Sequence, residues 1–503
     1  MADVPEYDVI VVGAGNAALC AALSAREQGG RVLVLEKASI EERGGNSTFT
    51  AGGFRFVHDG LEDLRRDVLS DLSDAEARQI YIPPLPADVY LHDLLKVTEG
   101  LTQEELASLL IGRSRETVVW MKSKGVRFIP MFGRQSYKVN GIHHFYGGVN
   151  IEAVGGGWGL VDFLVKAAER AGIEIRYRTG LRKLLQARGG TVSGVLAFGP
   201  DGYEEIGARA VVLACGGFEA NPEMRTRYLG PGWELCRVRG TKHNTGDGIR
   251  AALDIGAQAF GGWSTCHAVQ WDISAPPFGD RVVLDNFQKH SYPLGIVVNL
   301  NGERFVDEGA DFRNHTYAKY GREVMKQPER TAVQIFDSKT IAMVRDEYRI
   351  KQVTKAEAPT IEELAMALDI DIAGLARTVA DYNAACQPGD YNPAILDGKH
   401  TERITPPKSN WALPIDEPPY YGFVVTCGIT FTFGGLRINT EGEVLDTTDA
   451  TIPGLYAAGE LVGGIFYQNY LGGAGLMSGA VFGRLAGRSA GRYALGPARV
   501  AAE

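Results

Sequence analysis

The residues whose types and spacing could do chemistry begin at Tyr7. An apolar run, Val9 to Val12, meets Gly13-Ala14-Gly15. An alanine-rich segment, Ala17 to Glu27, follows, then a second apolar run that ends at Glu36 and Lys37. Gly13 permits a tight turn, Gly15 lets a pyrophosphate approach the backbone, and Ala18 lets a helix pack close to its strand. The helix N-terminus, at Asn16 and Ala17, offers unpaired N–H groups to phosphate. Glu36 can accept hydrogen bonds from a ribose diol, and its charge repels a 2′-phosphate. This order predicts dinucleotide binding; the plainer alternative is a nucleotide-free α/β unit with a glycine-rich turn. Single residues add to the inventory. Arg55 suits a carboxylate binder or a solvated surface arginine. Tyr292 suits a proton acceptor or a core tyrosine with a satisfied hydroxyl. His143-His144 suits a carboxylate or metal site, but the nearby glycines favour a loop.

The elements that must position these residues belong to a chain of 503 residues, long enough for two or more sizeable cores. Hydrophobic residues make up 45% and charged residues 22%, the balance of a soluble globular protein. Its 63 glycines cluster in short Gly-Gly runs, which suggests backbone close to a ligand. A net charge of −9 without blocks of like charge argues against nucleic acid or anionic membrane as partners. An anionic substrate therefore needs a local basic pocket. Cys20, Cys215, Cys236, Cys266, Cys386 and Cys427 are scattered, with no Cys-x-x-Cys spacing. Haem attachment, iron–sulfur ligation and zinc are thus not expected, and neither is any other metal site. Reduced thiols, no leader before the first strand and no apolar run of the roughly 20 residues that span a bilayer predict a cytoplasmic protein.

Periodicity predicts helices over Leu61 to Leu72, Ala87 to Glu99, Gln103 to Lys124 and Trp158 to Ala171. Short strands follow at Ile173 to Tyr177, Leu181 to Ala187, Thr191 to Phe198 and Glu204 to Ala208. A buried strand, Ala210 to Cys215, ends in Gly216-Gly217, a second junction of the kind that lies against a nucleotide. From about 240 to 425 prolines and aromatics become common, with Trp263, Trp271 and Phe287 reading as core. After 430 the first texture returns, with a strand from Leu455 to Ala458 and a small-residue helix from Gly475 to Tyr493. One nucleotide domain assembled from both chain ends, with a capping domain inserted, is the expected plan.

Five segments together resemble the flavoprotein family of fumarate reductases and succinate dehydrogenases: Gly13-x-Gly15 with Glu36, Gly44-Gly45-Asn46-Ser47, Ala214 to Phe218, Asn244 to Gly248, and Pro453 to Glu460. The resemblance implies FAD, held by Gly13, Gly15, Asn16, Ala17, Ala18, Glu36, Lys37, Gly44, Gly45, Asn46, Ser47, Gly52, Gly53, Ala214, Cys215, Gly216, Asn244, Asp247, Gly459, Glu460, Gly475 and Leu476. Within that set Glu36 holds the adenosine ribose, Gly45 to Ser47 with Gly52-Gly53 line the isoalloxazine, and Glu460 holds the ribityl chain. The helix opening at Gly475-Leu476 aims its N-terminus at the flavin N1/C2 carbonyl, where reduced flavin carries negative charge. Asn46-Ser47-Thr48 stands where membrane-complex members attach flavin to a histidine, so the FAD is expected to be non-covalent.

The resemblance further implies a proton-passing arginine after Gly302-Glu303-Arg304-Phe305-Val306-Asp307-Glu308, which is Arg313, one residue later than in the reductases. An arginine held between carboxylates such as Glu308 and Asp311 can exchange protons; the alternative is a structural ion pair. Thr430 and Phe431 stand where the reductases carry a substrate-binding histidine, and Tyr470 where they carry an arginine. Plain fumarate is therefore not the expected substrate. Cys427 to Gly483, Arg237 to Thr241 and Trp158-Gly159-Leu160 are most similar to tricarballylate dehydrogenases, whereas Tyr470-Leu-Gly-Gly also resembles 3-ketosteroid dehydrogenases.

The expected fold class is α/β: a Rossmann-like FAD-binding domain from residues 1–240 and 428–503, with an inserted α+β capping domain over 241–427. The expected enzyme is an FAD-dependent CH–CH oxidoreductase working beside a carboxylate or carbonyl, with hydride passing to or from flavin N5. The alternatives are a ketosteroid-type desaturase and a non-catalytic electron-transfer flavoprotein. Candidate catalytic residues are Arg313, Tyr470, Thr430, Glu308, His243 and Arg239; His243, near the expected flavin edge, also fits a structural hydrogen bond. Expected partners are a small carboxylic acid or ketone and a separate electron donor or acceptor, such as an iron–sulfur or membrane protein, a quinone or oxygen.

Overall fold

A computed structural model describes residues 5–496. The central strand β1 (Tyr7–Val12) is buried along its whole length, as its unbroken apolar run requires of a parallel strand covered on both faces. It pairs in parallel with β2 (Val32–Leu35) on one side and with β3 (Gly202–Leu213) on the other. β2 pairs onward with Glu174–Arg176, and β3 with Val192–Gly199, which pairs with Gly180–Gln186. Sequence reading divides β3 into two strands at Arg209. The ladder runs through, because Ala208 and Ala210 both register on β1. Helix α1 (Asn16–Glu27) crosses between β1 and β2. The strand Thr451–Ala457 joins the far side of β3 in parallel, so the end of the chain completes the sheet begun at its start.

A second sheet is organised by β4 (Ala259–Asp272) and β5 (Tyr420–Leu436), which pair antiparallel. Ala332–Phe336 and Lys355–Ala358 join the first half of β5, and Ile296–Asn299 extends the sheet. Helix α2 (Arg313–Met325) packs on β4 so closely that a Cβ on Gly321 would lie 2.4 Å from the Ala268 carbonyl carbon. Ile296, Val298, Val333, Ile335, Leu364 and Leu375 form a separate core beneath this sheet. The last helix, α3 (Ala474–Leu495), lies against α1. Cβ atoms on Gly483 and Gly487 would stand 2.3 and 2.1 Å from the carbonyl oxygens of Ala17 and Ala21. We propose residues 1–240 with 428–503, and 241–427, as the domains, with β5 passing from one into the other.

Most expected helices lie within a few residues of their places, for example Ala87–Val97, Glu104–Ser123 and Gly156–Arg170. Leu61–Asp67 stops earlier than expected. His143 and His144 are not in a loop: they sit in a strand, Ile142–Phe145, paired with Ser136–Val139. Among the described residues no helix is long and apolar enough to cross a membrane, and no group of three or more His, Cys, Asp or Glu side chains is placed to hold a metal.

Candidate active site

A long cavity opens where the two sheets meet. One end is lined by Glu36, Lys37, Thr179 and Leu181; the middle by Gly15, Asn16, Gly45, Asn46 and Ser47; the other end by His267, Arg313, Tyr317, Thr430 and Tyr470. The residues of the first stretch fit a dinucleotide. Gly15, at the cap position of α1, has no side chain to cap the helix, which leaves the N–H groups beyond Asn16 for phosphate. Gly13, at φ +106°, could carry no Cβ, because the atom would meet the Ala214 oxygen at 2.5 Å; its glycine serves the strand junction. Gly15 faces Ser47, whose Oγ accepts the Asn16 N–H at 3.0 Å. The Glu36 carboxylate is buried and accepts the N–H groups of Ala14 at 3.0 Å and Ala38 at 2.8 Å. Burial pushes its proton affinity up.

Lys37 and Asp247 form an ion pair at 2.6 Å, and Lys37 also donates to Thr245 Oγ1 at 2.6 Å and to the His243 carbonyl at 3.3 Å. His243 therefore stands at the Glu36 end and not at the reactive edge. Its Nε2 faces Glu42 at 3.2 Å, so the contact is structural. Ala17, Gly53, Ala214, Cys215, Gly216, Asn244, Gly459, Gly475 and Leu476 line the cavity. Ala18, Gly44 and Gly52 lie behind its wall; a Cβ on Gly44 or Gly52 would collide with Thr48 or Gly156. Burial drives the Cys215 thiol up to about 12, which leaves it inert.

Two buried carboxyls underlie the middle of the cavity. Glu219 Oε1 accepts from Asn46 Nδ2 at 2.6 Å and Asn244 Nδ2 at 2.7 Å. Glu460 Oε1 accepts from the Thr432 N–H at 2.8 Å. Burial raises the proton affinity of both, and the neighbouring Glu219 raises that of Glu460 further.

At the far end, the expected partners of Arg313 have gone elsewhere. Glu308 is fully buried and paired with Arg304, whose Nε is 3.1 Å away; it does not reach the cavity. Asp311 pairs with Lys96 at 2.7 Å and faces His315 at 3.1 Å. Among the described residues Arg313, the first residue of α2, donates only to the Arg134 carbonyl, at 3.2 Å, and its Nε has no partner. Burial, reinforced by Arg345, pulls it down to about 10. It is neither held between carboxylates nor in a structural ion pair; it is a desolvated guanidinium on the cavity wall. Arg239 differs: its Nε and Nη2 both reach Asp285 Oδ1, at 2.7 and 2.6 Å. Arg134 pairs with the other oxygen of Asp285.

Thr430 Oγ1 donates to the Arg239 carbonyl at 2.7 Å. The Tyr470 hydroxyl accepts the Gly475 N–H at 2.8 Å, so this tyrosine occupies part of the α3 terminus that sequence reading aims at the flavin. Its ring lies flat on His267, with centroids 4.4 Å apart and planes at 5°. His267 lines the cavity with Nε2 unpartnered, held neutral by burial and Arg239. Sequence reading passed over His267, Arg134, Gln135, Asp285, Gln288, Asn314 and Tyr317, all cavity residues; only His267, a polar residue between Cys266 and Ala268-Val269 of β4, carries a local signal. Arg55 proves to be neither a substrate binder nor a surface residue. It is fully buried, paired with Asp93 at 3.0 Å and bonded to the Gly472 carbonyl at 3.0 Å. Tyr292 is core, its hydroxyl 2.7 Å from Thr316 Oγ1.

Residues 8–476 match the family model described as an FAD binding domain. A probable fumarate reductase, Ifc3, of Shewanella frigidimarina (strain NCIMB 400) is 31% identical over 494 residues, 97% of this chain and 75% of that protein. The open conformation of a flavocytochrome c3 fumarate reductase superposes with a TM-score of 0.72 at 29% identity, covering 98% of this chain and 79% of that one. The 3-ketosteroid delta1-dehydrogenase of Sterolibacterium denitrificans shares the fold, with a TM-score of 0.72, 23% identity and coverage of 96% and 99%. The motif spacing, the cavity between the sheets and these likenesses agree: the chain is an FAD-dependent oxidoreductase of the fumarate reductase and succinate dehydrogenase flavoprotein family.

Proposed function

We propose that the protein interconverts a CH–CH unit and its alkene beside a carboxylate, in a small polycarboxylic acid of the tricarballylate kind. FAD, bound without a covalent link along the cavity from Glu36 to Leu476, supplies the two-electron chemistry. The observation that carries the reading is Arg313. A guanidinium on the cavity wall, without a carboxylate and drawn down to about 10, gives up and regains a proton far more readily than an ordinary arginine. Arg134 and Arg239 share the single carboxylate of Asp285, so Arg134, Arg239 and Arg313 leave this end with an excess of positive charge. That excess complements an anionic substrate and stabilises charge building on its carboxylate. Gln135, Gln288 and Asn314 add amide groups able to orient it. Thr430 and Tyr470 shape the wall, and His267 holds Tyr470 flat.

An apolar ketone would leave these guanidiniums without a complement, which weighs against the ketosteroid-type reading. A purely electron-transferring flavoprotein would have no use for Arg313. Electrons are exchanged with a separate carrier, and six free thiols suit a reducing, cytoplasmic setting. The test is anaerobic. Di- and tricarboxylic acids should bleach the oxidised flavin band near about 450 nm, or the matching enoates should restore it in the reduced enzyme. A response to 3-keto compounds alone, or to nothing, defeats the proposal.

A further inference from the structure

Arg313 also lines a second, smaller pocket, whose walls include Arg345, His290, Tyr146, Phe312 and Trp411. Tyr146 and Phe312 stack with centroids 5.5 Å apart. The guanidinium groups of this pocket are donors in want of an acceptor, and the neutral ring of His290 adds one N–H. Among the described residues, Nε of Arg313, Nη1 of Arg345 and both ring nitrogens of His290 have no partner, although the three side chains are 8%, 7% and 1% exposed. Arg345 makes one side-chain bond, to the Tyr146 hydroxyl at 2.7 Å. Glu347 lies near both cations but bonds to neither, and its own Oε1 is unpartnered. The N-terminus of α2 opens here as well, with Phe312 at its cap position and no side-chain cap.

Buried donors without acceptors cost free energy unless something answers them. Two guanidiniums, an imidazole and a helix N-terminus converge on one chemistry, a planar oxyanion with several lone pairs. We propose that this pocket is a carboxylate subsite adjoining the reaction cavity. A carboxylate seated there supplies the counter-charge that Arg313 lacks. It comes either from the remote end of the polycarboxylic substrate, which rests on the function proposed above, or from a free small acid, which does not.

The experiment uses the FAD-loaded enzyme, with Arg345→Gln and His290→Gln as variants. Sodium acetate is titrated against thermal stability, with sodium chloride at equal ionic strength as the control. Acetate should raise the melting temperature saturably where chloride does not, and each variant should weaken its apparent affinity about tenfold or more, as loss of a charge-assisted bond implies. KM values are then measured for a tricarboxylic and a monocarboxylic enoate. A rise of about tenfold in KM for the tricarboxylic acid alone, with kcat held, identifies the substrate as the source. Acetate binding weakened in the variants without that split identifies a free acid. Indifference to acetate, an equal response to chloride, or variants that bind acetate as the wild type does would overturn the subsite. Should Arg345→Gln not fold, His290→Gln and the wild-type titration decide. Should no acid be turned over, the proposed function fails alone, and acetate still judges the pocket.

Discussion

Arg313 and Glu460 show how burial sets chemistry one side chain at a time. Arg313→Ala should lower kcat by about 10²-fold or more while the purified protein stays yellow, because proton transfer is lost and the cofactor contacts are kept. Turnover equal to wild type would remove this residue from the reaction. The direction with pH follows from the same group. Its proton is in place below about 10, so enoate reduction should be lost as pH climbs through that value. Arg313→Ala should lack this high-pH limb, which steady-state rates against pH would show. Glu460 leads to the opposite kind of prediction. Burial beside Glu219 raises its proton affinity well above that of a free carboxyl and favours the neutral form. Glu460→Gln, also neutral and the same shape, should retain FAD at near wild-type stoichiometry, read from the flavin-to-protein absorbance ratio. A colourless variant would mean that the charged form is the one that holds the coenzyme.

The helices and strands meet through glycine. α1 and α3 touch backbone to backbone because Gly483 and Gly487 leave room for the carbonyls of Ala17 and Ala21. A methyl at Gly487 would stand 2.1 Å from the Ala21 oxygen, and neither helix can move without disturbing the sheet beneath it. G487A should therefore cost about 1–3 kcal/mol of stability by overpacking, seen as a lower denaturation midpoint. G496A, just past the end of α3 with nothing among the described residues within 4 Å, tests instead the strain of a residue at φ +67° and should cost less. If the two variants were equally stable, the close helix contact would not be what Gly487 serves.

The whole molecule is a cavity between two sheets, and its ligand holds contacts from both ends of the chain. Glu36 and Ser47, Asn244, and Glu460 and Leu476 come from three distant parts of the chain and line one continuous space. Any molecule that binds only when these are assembled must stabilise the assembled state. FAD at about 100 times its dissociation constant should add about 2.7 kcal/mol, measured as a rise in melting temperature over protein stripped of the coenzyme. No rise would mean that the residues do not act together.

The nucleotide half was legible because its signals are local. A strand, a Gly-x-Gly turn, a helix and an acid occupy some thirty consecutive positions, and each depends on neighbours a few residues away. The buried strands lay in the same apolar runs, but their pairing did not: Glu174–Arg176 joins β2, away from the strands that follow it in sequence. The reactive end depended on which elements meet. Glu308 and Asp311 precede Arg313 by a few residues, yet the start of α2 turns the guanidinium away from both, and Arg304, Lys96 and His315 claim the two acids. His267 reaches Tyr470 across two hundred residues, through the pairing of β4 with β5 and the turn into α3. Charged and aromatic side chains take whatever partner lies nearest in space, and only the folded backbone specifies that neighbour.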